Sequence, residues 1–228
     1  MKAFAVSFVC AGVVAGAAIA QPYYVRGEFN GWSNSTDAMT QIGSNAWKYT
    51  VTGLNPGQGY EFKATVDDWS MNAPGSNARY VADANGELTV FLYDTNTHGD
   101  GWSPEGKWRL GWADSGLFGW ELVGEMNGWG GGAGWELVDQ GGGLHSADFS
   151  LGAGTYEFKF RRVGDWGYSI GDDFGNSAAN NSITVGGALP VRFELDLEHG
   201  RWRAYEVPAP GAFALLGVAG VVGMRRRR

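Results

Sequence analysis

The side chains in this chain that could do chemistry recur at a fixed spacing. GEFNGW at residues 27–32 returns as GEMNGW at 124–129, Tyr60-Glu61-Phe62-Lys63 returns as Tyr156-Glu157-Phe158-Lys159, and Asp68-Trp69 returns as Asp165-Trp166. Alternate residues of an extended strand face opposite ways, so Lys63 points away from the face shared by Tyr60 and Phe62, and Lys159 does the same in its copy. Indole and ammonium are groups for stacking and hydrogen-bond donation rather than for bond making. The chain has eleven tryptophans, which either build large cores or form exposed stacking platforms. The residues alone leave both roles open: Trp32 could fold back as a lid over a sheet end, and Trp69 and Trp166 could anchor turns.

Catalytic patterns are thin. There is no serine elbow, Cys10 is the sole cysteine, and His98, His145 and His199 lack ligand spacing. The acidic pairs Asp67-Asp68 and Asp172-Asp173 are adjacent, and neighbours on a strand face opposite ways, so they make poor acid–base partners. We therefore expect no enzyme activity and no cofactor, with one exception to weigh. Residues 94–101 place oxygens at Asp94, Asn96 and Asp100, as a calcium loop does. An EF-hand would want an oxygen donor where His98 stands, although Gly99 occupies the sixth position and Glu105 the twelfth. Calcium on Asp94, Asn96 and Asp100 is one reading, and a turn-rich insertion is the other.

The elements that would carry these groups are strands. Trp47, Tyr49 and Val51 alternate with polar residues, as do Tyr156, Phe158 and Phe160; Leu88, Val90 and Leu92 mark one strand face, and Val191, Phe193 and Leu195 its counterpart. Gly, Asn, Asp and Pro clusters separate these runs, the pattern of an antiparallel sandwich. Gly106-Lys107-Trp108-Arg109 and Gly200-Arg201-Trp202-Arg203 complete a repeat in register, which reads as duplication. The expected fold is all-β: two tandem antiparallel Ig-like β-sandwiches over 22–112 and 118–206, joined by a linker at 113–117. Helix is expected only at the two apolar ends.

Those ends read as address labels. Lys2, an apolar run and Ala18-Ile19-Ala20 form a signal-peptide pattern over 1–20, which would bring in a signal peptidase and an exported, cell-surface or extracellular protein. The tail at 207–228 has Pro208 and Pro210, a 14-residue apolar stretch shorter than a membrane span, and Arg225, Arg226, Arg227 and Arg228. Removing Lys2 and those four arginines, five positive charges, takes the formal net charge from −7 to −12. A body this acidic argues against nucleic acid as a partner.

The order G-x-F/M-N-G-W, then Y-E-F-K, then a turn ending in D-W is similar to the glycogen- and starch-binding Ig-like modules of AMP-activated kinase β subunits and pullulanases. Val90-Phe91-Leu92-Tyr93-Asp94 and Ala179-Asn180-Asn181-Ser182-Ile183-Thr184-Val185 add to the likeness, which covers nearly all of 22–206, once per copy. It implies a carbohydrate-binding protein whose partner is a polysaccharide, with an α-glucan contacted by Trp32, Lys63 and Trp69 in the first copy. Trp129, Lys159 and Trp166 would do so in the second, with Asn180 or Asn181 as a further hydrogen-bonding group. The first copy offers only Asn85 for that last role, and the run Gly130–Gly132 is expected to loosen the second platform. The tail resembles the PEP-CTERM sorting segment of bacterial surface proteins, with Ala209 where that signature has Glu. That likeness implies transient inner-membrane anchoring and cleavage by an exosortase-like enzyme. The alternative reading is a structural envelope or matrix protein without affinity for glycans.

Overall fold

The computed structural model describes residues 23–33 and 36–208, and the fold over them is all-β. The first half supplies β1 (Tyr24–Gly27), β2 (Thr40–Gly43), β3 (Ala46–Val51), β4 (Gly59–Thr65), β5 (Asn72–Val81), β6 (Leu88–Tyr93) and β7 (Arg109–Trp112). The second supplies β8 (Trp120–Gly124), β9 (Val138–Gly141), β10 (Leu144–Phe149), β11 (Gly154–Arg162), β12 (Asp165–Ile170), β13 (Asn181–Val185), β14 (Val191–Asp196) and β15 (Arg201–Glu206). All pairings are antiparallel, in four small sheets: β1-β4-β5 and β2-β3-β6-β7, then β8 with β12-β11-β13, and β15-β14-β10-β9. The helical segments expected at the two ends lie outside the described residues. Inside them, only short 3-10 turns at Glu28–Asn30 and Glu125–Asn127 interrupt the strands.

Period-two patterning decides what each strand buries. Leu88, Val90 and Leu92 are fully buried on one side of β6, and Val191, Phe193 and Leu195 on one side of β14. Phe158 of β11 meets Phe193 of β14 at 5.2 Å and Trp202 of β15 at 5.1 Å, both edge-on, so the inner faces of the two sheets of the second half meet in aromatic contact. In the first half Phe62 of β4 packs edge-on against Trp112 of β7 at 5.7 Å. Sealing each such ring from water contributes about 1.5–3 kcal/mol.

The halves differ in one strand. In the first, β5 is continuous and bulges past β4, its Ala73 opposite Ala64 and its Ala78 opposite Phe62. In the second, the equivalent stretch splits into β12 and β13, with a loop over 171–180 between them. That loop docks on the first half. Phe174 is fully buried and lies 5.3 Å from Trp112, Asp173 accepts the Ser76 amide at 2.7 Å, and the Asn176 amide donates to the Asn77 carbonyl at 2.7 Å. Further contacts join the halves at Ser103 and Trp202, which exchange both backbone bonds at 2.7 Å, and at Trp112 N to Leu197 O at 2.8 Å. Asp114, in the segment expected to be a linker, is held 2.8 Å from the buried His145. The halves therefore share a packed junction.

Phe174 holds that junction although its backbone is left-handed (φ 68°), a conformation that bulky residues rarely adopt. Phe174→Ala should lose about 3–5 kcal/mol by opening a cavity against Trp112. Urea denaturation of the full chain checks this; a loss below about 1 kcal/mol would show that the ring does not hold the junction.

Candidate functional site

The repeated phrase is a device for presenting its last residue. Asn30 closes a 3-10 turn by accepting the Gly27 amide at 2.9 Å and donating to the Val25 carbonyl at 3.0 Å. Asn127 does the same with Gly124 and Leu122, both at 2.9 Å. Glu28 reaches the Glu61 amide of β4 at 2.9 Å, and Glu125 the Glu157 amide of β11 at 2.8 Å, so each phrase is tied to the next strand. A Cβ at Gly27 or Gly124 would stand 2.5 or 2.4 Å from the carbonyl oxygen of Glu61 or Glu157, so only glycine permits this approach. Gly31 and Gly128 then turn left-handed, and Trp32 and Trp129 follow them at φ 59° and 64°. The amide of Trp32 donates back to Gly27 at 2.9 Å and that of Trp129 to Gly124 at 2.8 Å. The Asp-Trp phrase is likewise local chemistry: Asp68 accepts the Ser70 amide at 2.9 Å and Asp165 the Gly167 amide at 2.8 Å, each capping the turn that carries the next ring.

These turns bring the tryptophans together in pairs of nearly one geometry. Trp32 and Trp69 have centroids 6.4 Å apart and planes inclined by 38°; for Trp129 and Trp166 the values are 6.2 Å and 39°. Trp69 is 40% exposed and Trp166 47%, whereas Trp32 and Trp129 are half-buried. Trp69, like Trp32 and Trp129, has a left-handed backbone (φ 64°).

Beneath each outer ring lies a buried guanidinium. The carbon at the centre of the Arg26 guanidinium is 4.6 Å from the Trp69 centroid, and that of Arg161 is 4.6 Å from Trp166. The two arginines are not repeat equivalents. Arg26 is on β1 opposite Lys63, whereas Arg161 is on β11 opposite Glu121 of β8. Arg161 is well satisfied, giving Nε to Glu121 at 2.8 Å and Nη2 to the Gly130 carbonyl at 3.0 Å. Glu121 also accepts the amides of Gly132 at 2.6 Å and Gly164 at 2.8 Å. The glycine run expected to loosen this platform is therefore laced to it through Gly130 and Gly132. Arg26 reaches the Asp67 carbonyl at 2.9 Å, and its Nε and Nη1 are buried without a partner among the described residues.

The lysines lie on the outer face, as the alternation requires, but they are half-buried and engaged. Lys63 Nζ donates to Asn72 Oδ1 at 3.2 Å and to the Gly75 carbonyl, and Lys159 Nζ donates to the Ala178 carbonyl at 2.7 Å. Burial lowers the Lys63 pKa, against the opposing pull of Asp173. An ammonium has three protons, so each lysine keeps at least one free donor.

The asparagines separate. Asn181 is a correction: it sits opposite Phe158 on the core side, is 1% exposed, and donates to the Ile170 carbonyl at 3.3 Å, so it cannot meet a surface ligand. Asn180 is exposed and donates to Glu157 at 2.9 Å. In the first half its structural equivalent is Asn77, which donates to Glu61 at 2.8 Å, rather than Asn85, whose amide caps a turn on Asp83. The loop over 171–180 shifted the sequence offset and hid that match; the Asn–Glu pairing is the signal that identifies it.

In residues 94–101 the carboxylates already have protein partners. Asp94 accepts the Trp47 indole N–H at 3.0 Å, and Asp100 is held by Arg109 at 2.7 Å and Arg201 at 3.1 Å. Glu105 takes the His98 amide at 2.8 Å. Among the described residues no group of three or more His, Cys, Asp or Glu side chains is placed to hold a metal, and no helix is long and apolar enough to cross a membrane. Pro208 follows β15 as an exposed residue; Pro210 and Arg225 to Arg228 lie outside the described residues. Compared with known proteins, the chain matches no family model and no curated sequence.

The platform of the second half rests on Glu121. Burial pushes its carboxyl pKa up, but the Gly132 and Gly164 amides and Arg161 outweigh this and hold it below the ordinary 4.5. A folded-state value below the unfolded one means the stabilisation is complete above about pH 4.5 and fades as pH falls through the folded value. Asp100, lowered chiefly by Arg109, acts in the same direction. Thermal midpoints should be flat from about pH 7 to 5 and fall below about 4.5. Glu121→Ala, which strands Arg161, should lose about 3–5 kcal/mol at neutral pH. An unchanged midpoint in that variant would contradict the assigned ion pair.

Proposed function

We propose that this protein binds polysaccharide without catalysis, through two outer faces built on Trp32, Lys63 and Trp69 and on Trp129, Lys159 and Trp166. One observation carries the reading: the same inclined tryptophan pair is built twice, 38° and 39° between planes, each over a buried guanidinium. Pyranose rings present apolar C–H faces to indole, and their hydroxyls seek donors and acceptors such as the lysine ammonium, Asn180 and Asn77. Inclined rings suit a curved chain, which favours an α-glucan of the starch or glycogen type. In this reading each half is an Ig-like sandwich of the glycogen-binding kind. The protein is exported by its signal segment, and an exosortase-like enzyme sorts it to the surface after transient inner-membrane anchoring. Two weak faces on one polymer gain by avidity where their geometry allows both to engage.

The alternative, a structural envelope module without glycan affinity, draws on the lysines, whose ammonium groups already bind backbone carbonyls. One substitution separates the two. If Trp166 stacks on sugar, Trp166→Ala should weaken maltoheptaose or glycogen binding by about 1–3 kcal/mol, taking base–aromatic stacking as the guide. Its thermal midpoint should fall only slightly, because the ring is half exposed. Calorimetric titration and a thermal melt of the same samples check both. Wild-type protein that binds no glycan in a broad screen refutes the proposal.

A further inference from the structure

A cleft of about 240 Å³ opens where the two halves meet, lined by residues that include Asn72, Gly75, Asn96, Lys107, Trp108 and Asp173. The first five belong to the first half and Asp173 to the docked loop of the second. Two of the lining residues, Asn72 and Gly75, hold the ammonium of Lys63. Lys63 in turn lies opposite Arg26, which carries Trp69 on its guanidinium. The inclined rings, the lysine and the cleft are therefore successive parts of one surface.

We propose that this cleft is a further subsite for the polysaccharide, taking one more hexose unit of a chain that lies on Trp32 and Trp69. The inference rests on the binding function proposed above and specifies where its ligand runs. The lining is amphipathic in the manner a pyranose requires, an indole beside free polar groups. Asn72 spends its oxygen on Lys63, leaving its N–H groups available. The Asn96 side chain makes no hydrogen bond among the described residues; only its backbone carbonyl is used, by Gly106. Lys107 is tied only to Asp172, through an exposed contact of 3.3 Å, which leaves two protons for hydroxyl groups. Asp173 forms the wall instead of reading the sugar: Ser76 occupies both of its oxygens and the Gly175 amide adds a third bond. The loop over 171–180 is what closes the cleft, and it exists only in the second half.

The test uses the full chain in a Trp166→Ala background, so that the first face is read alone. Asn96→Ala with Lys107→Ala removes two of the three free polar side chains while leaving the fold intact, since an exposed ion pair contributes little. Calorimetric titrations with maltotriose and maltoheptaose should show maltoheptaose affinity reduced roughly five- to tenfold, the effect of one or two lost hydrogen bonds, with maltotriose unaffected. The thermal midpoint should not move. Trp69→Ala should weaken both sugars. If the double substitution leaves both affinities unchanged, or lowers both equally, while Trp69→Ala still weakens binding, the cleft is not a separate subsite and the binding function stands. If wild type binds but the Trp166→Ala background does not, the first face is silent and the cleft inference fails with it. Absence of wild-type binding to any glycan overturns both.

Discussion

A guanidinium sealed beneath an indole is the contact on which each outer face depends. Arginine is hard to bury because its charge loses water, and burial costs least where other groups replace that water. In the second half Glu121, the Gly130 carbonyl and the Trp166 ring supply the replacement together. The ring thus has two sides in different employment, one turned to a cation and the other to solvent. In the first half the cation comes from β1 instead of the middle strand, through Arg26, yet it ends at the same 4.6 Å from its tryptophan. Duplication alone would have copied the arginine to an equivalent position. Two different positions converging on one contact indicate that the contact itself is what the fold maintains.

Much of this was legible in the sequence, for identifiable reasons. Strand faces follow from period two, and Phe62, Phe158, Leu88, Leu92, Phe193 and Leu195 all lie buried where alternation puts them. The lysines' outward direction follows from the same rule. The phrases GEFNGW and GEMNGW marked turns because Asn-Gly is a local signal, and the structure adds a task for each fixed letter. Other features were read less well. Asn181 shares its strand face with Ile183 and Val185, so alternation along β13 already turns it inward, opposite Phe158. In residues 94–101 the sequence could not show that Asp100 pairs with Arg109 and Arg201. Asn77 was missed because a loop in one copy displaced the alignment.

That loop also changes the meaning of the duplication. Two copies of a small β-unit could hang together by a tether, each with its own core. Here Phe174, buried against Trp112, and Asp173, bound to Ser76, make part of one copy into a structural element of the other. A surface feature such as the cleft beside Lys107 then belongs to neither copy alone. Asymmetry between the copies, an apparent defect in the repeat, is what creates it.

The backbone of the tryptophans bears most directly on the choice between ligand face and structural lid. A turn that needs φ near 60° is met cheaply by glycine or asparagine, whereas a bulky side chain there costs on the order of 1–3 kcal/mol. Trp32, Trp69 and Trp129 all sit in that region, and two of them directly follow a glycine already in it. A ring that must stand at a set inclination to its partner has its direction dictated by where a second, flat object has to lie. The left-handed backbone sets the direction of rings that pair at 38° and 39°, yet Phe174, fully buried at φ 68°, bears the same strain as a packing ring. The engaged lysines grip the Gly75 and Ala178 carbonyls and so brace the edge of each face, with at least one ammonium proton left over.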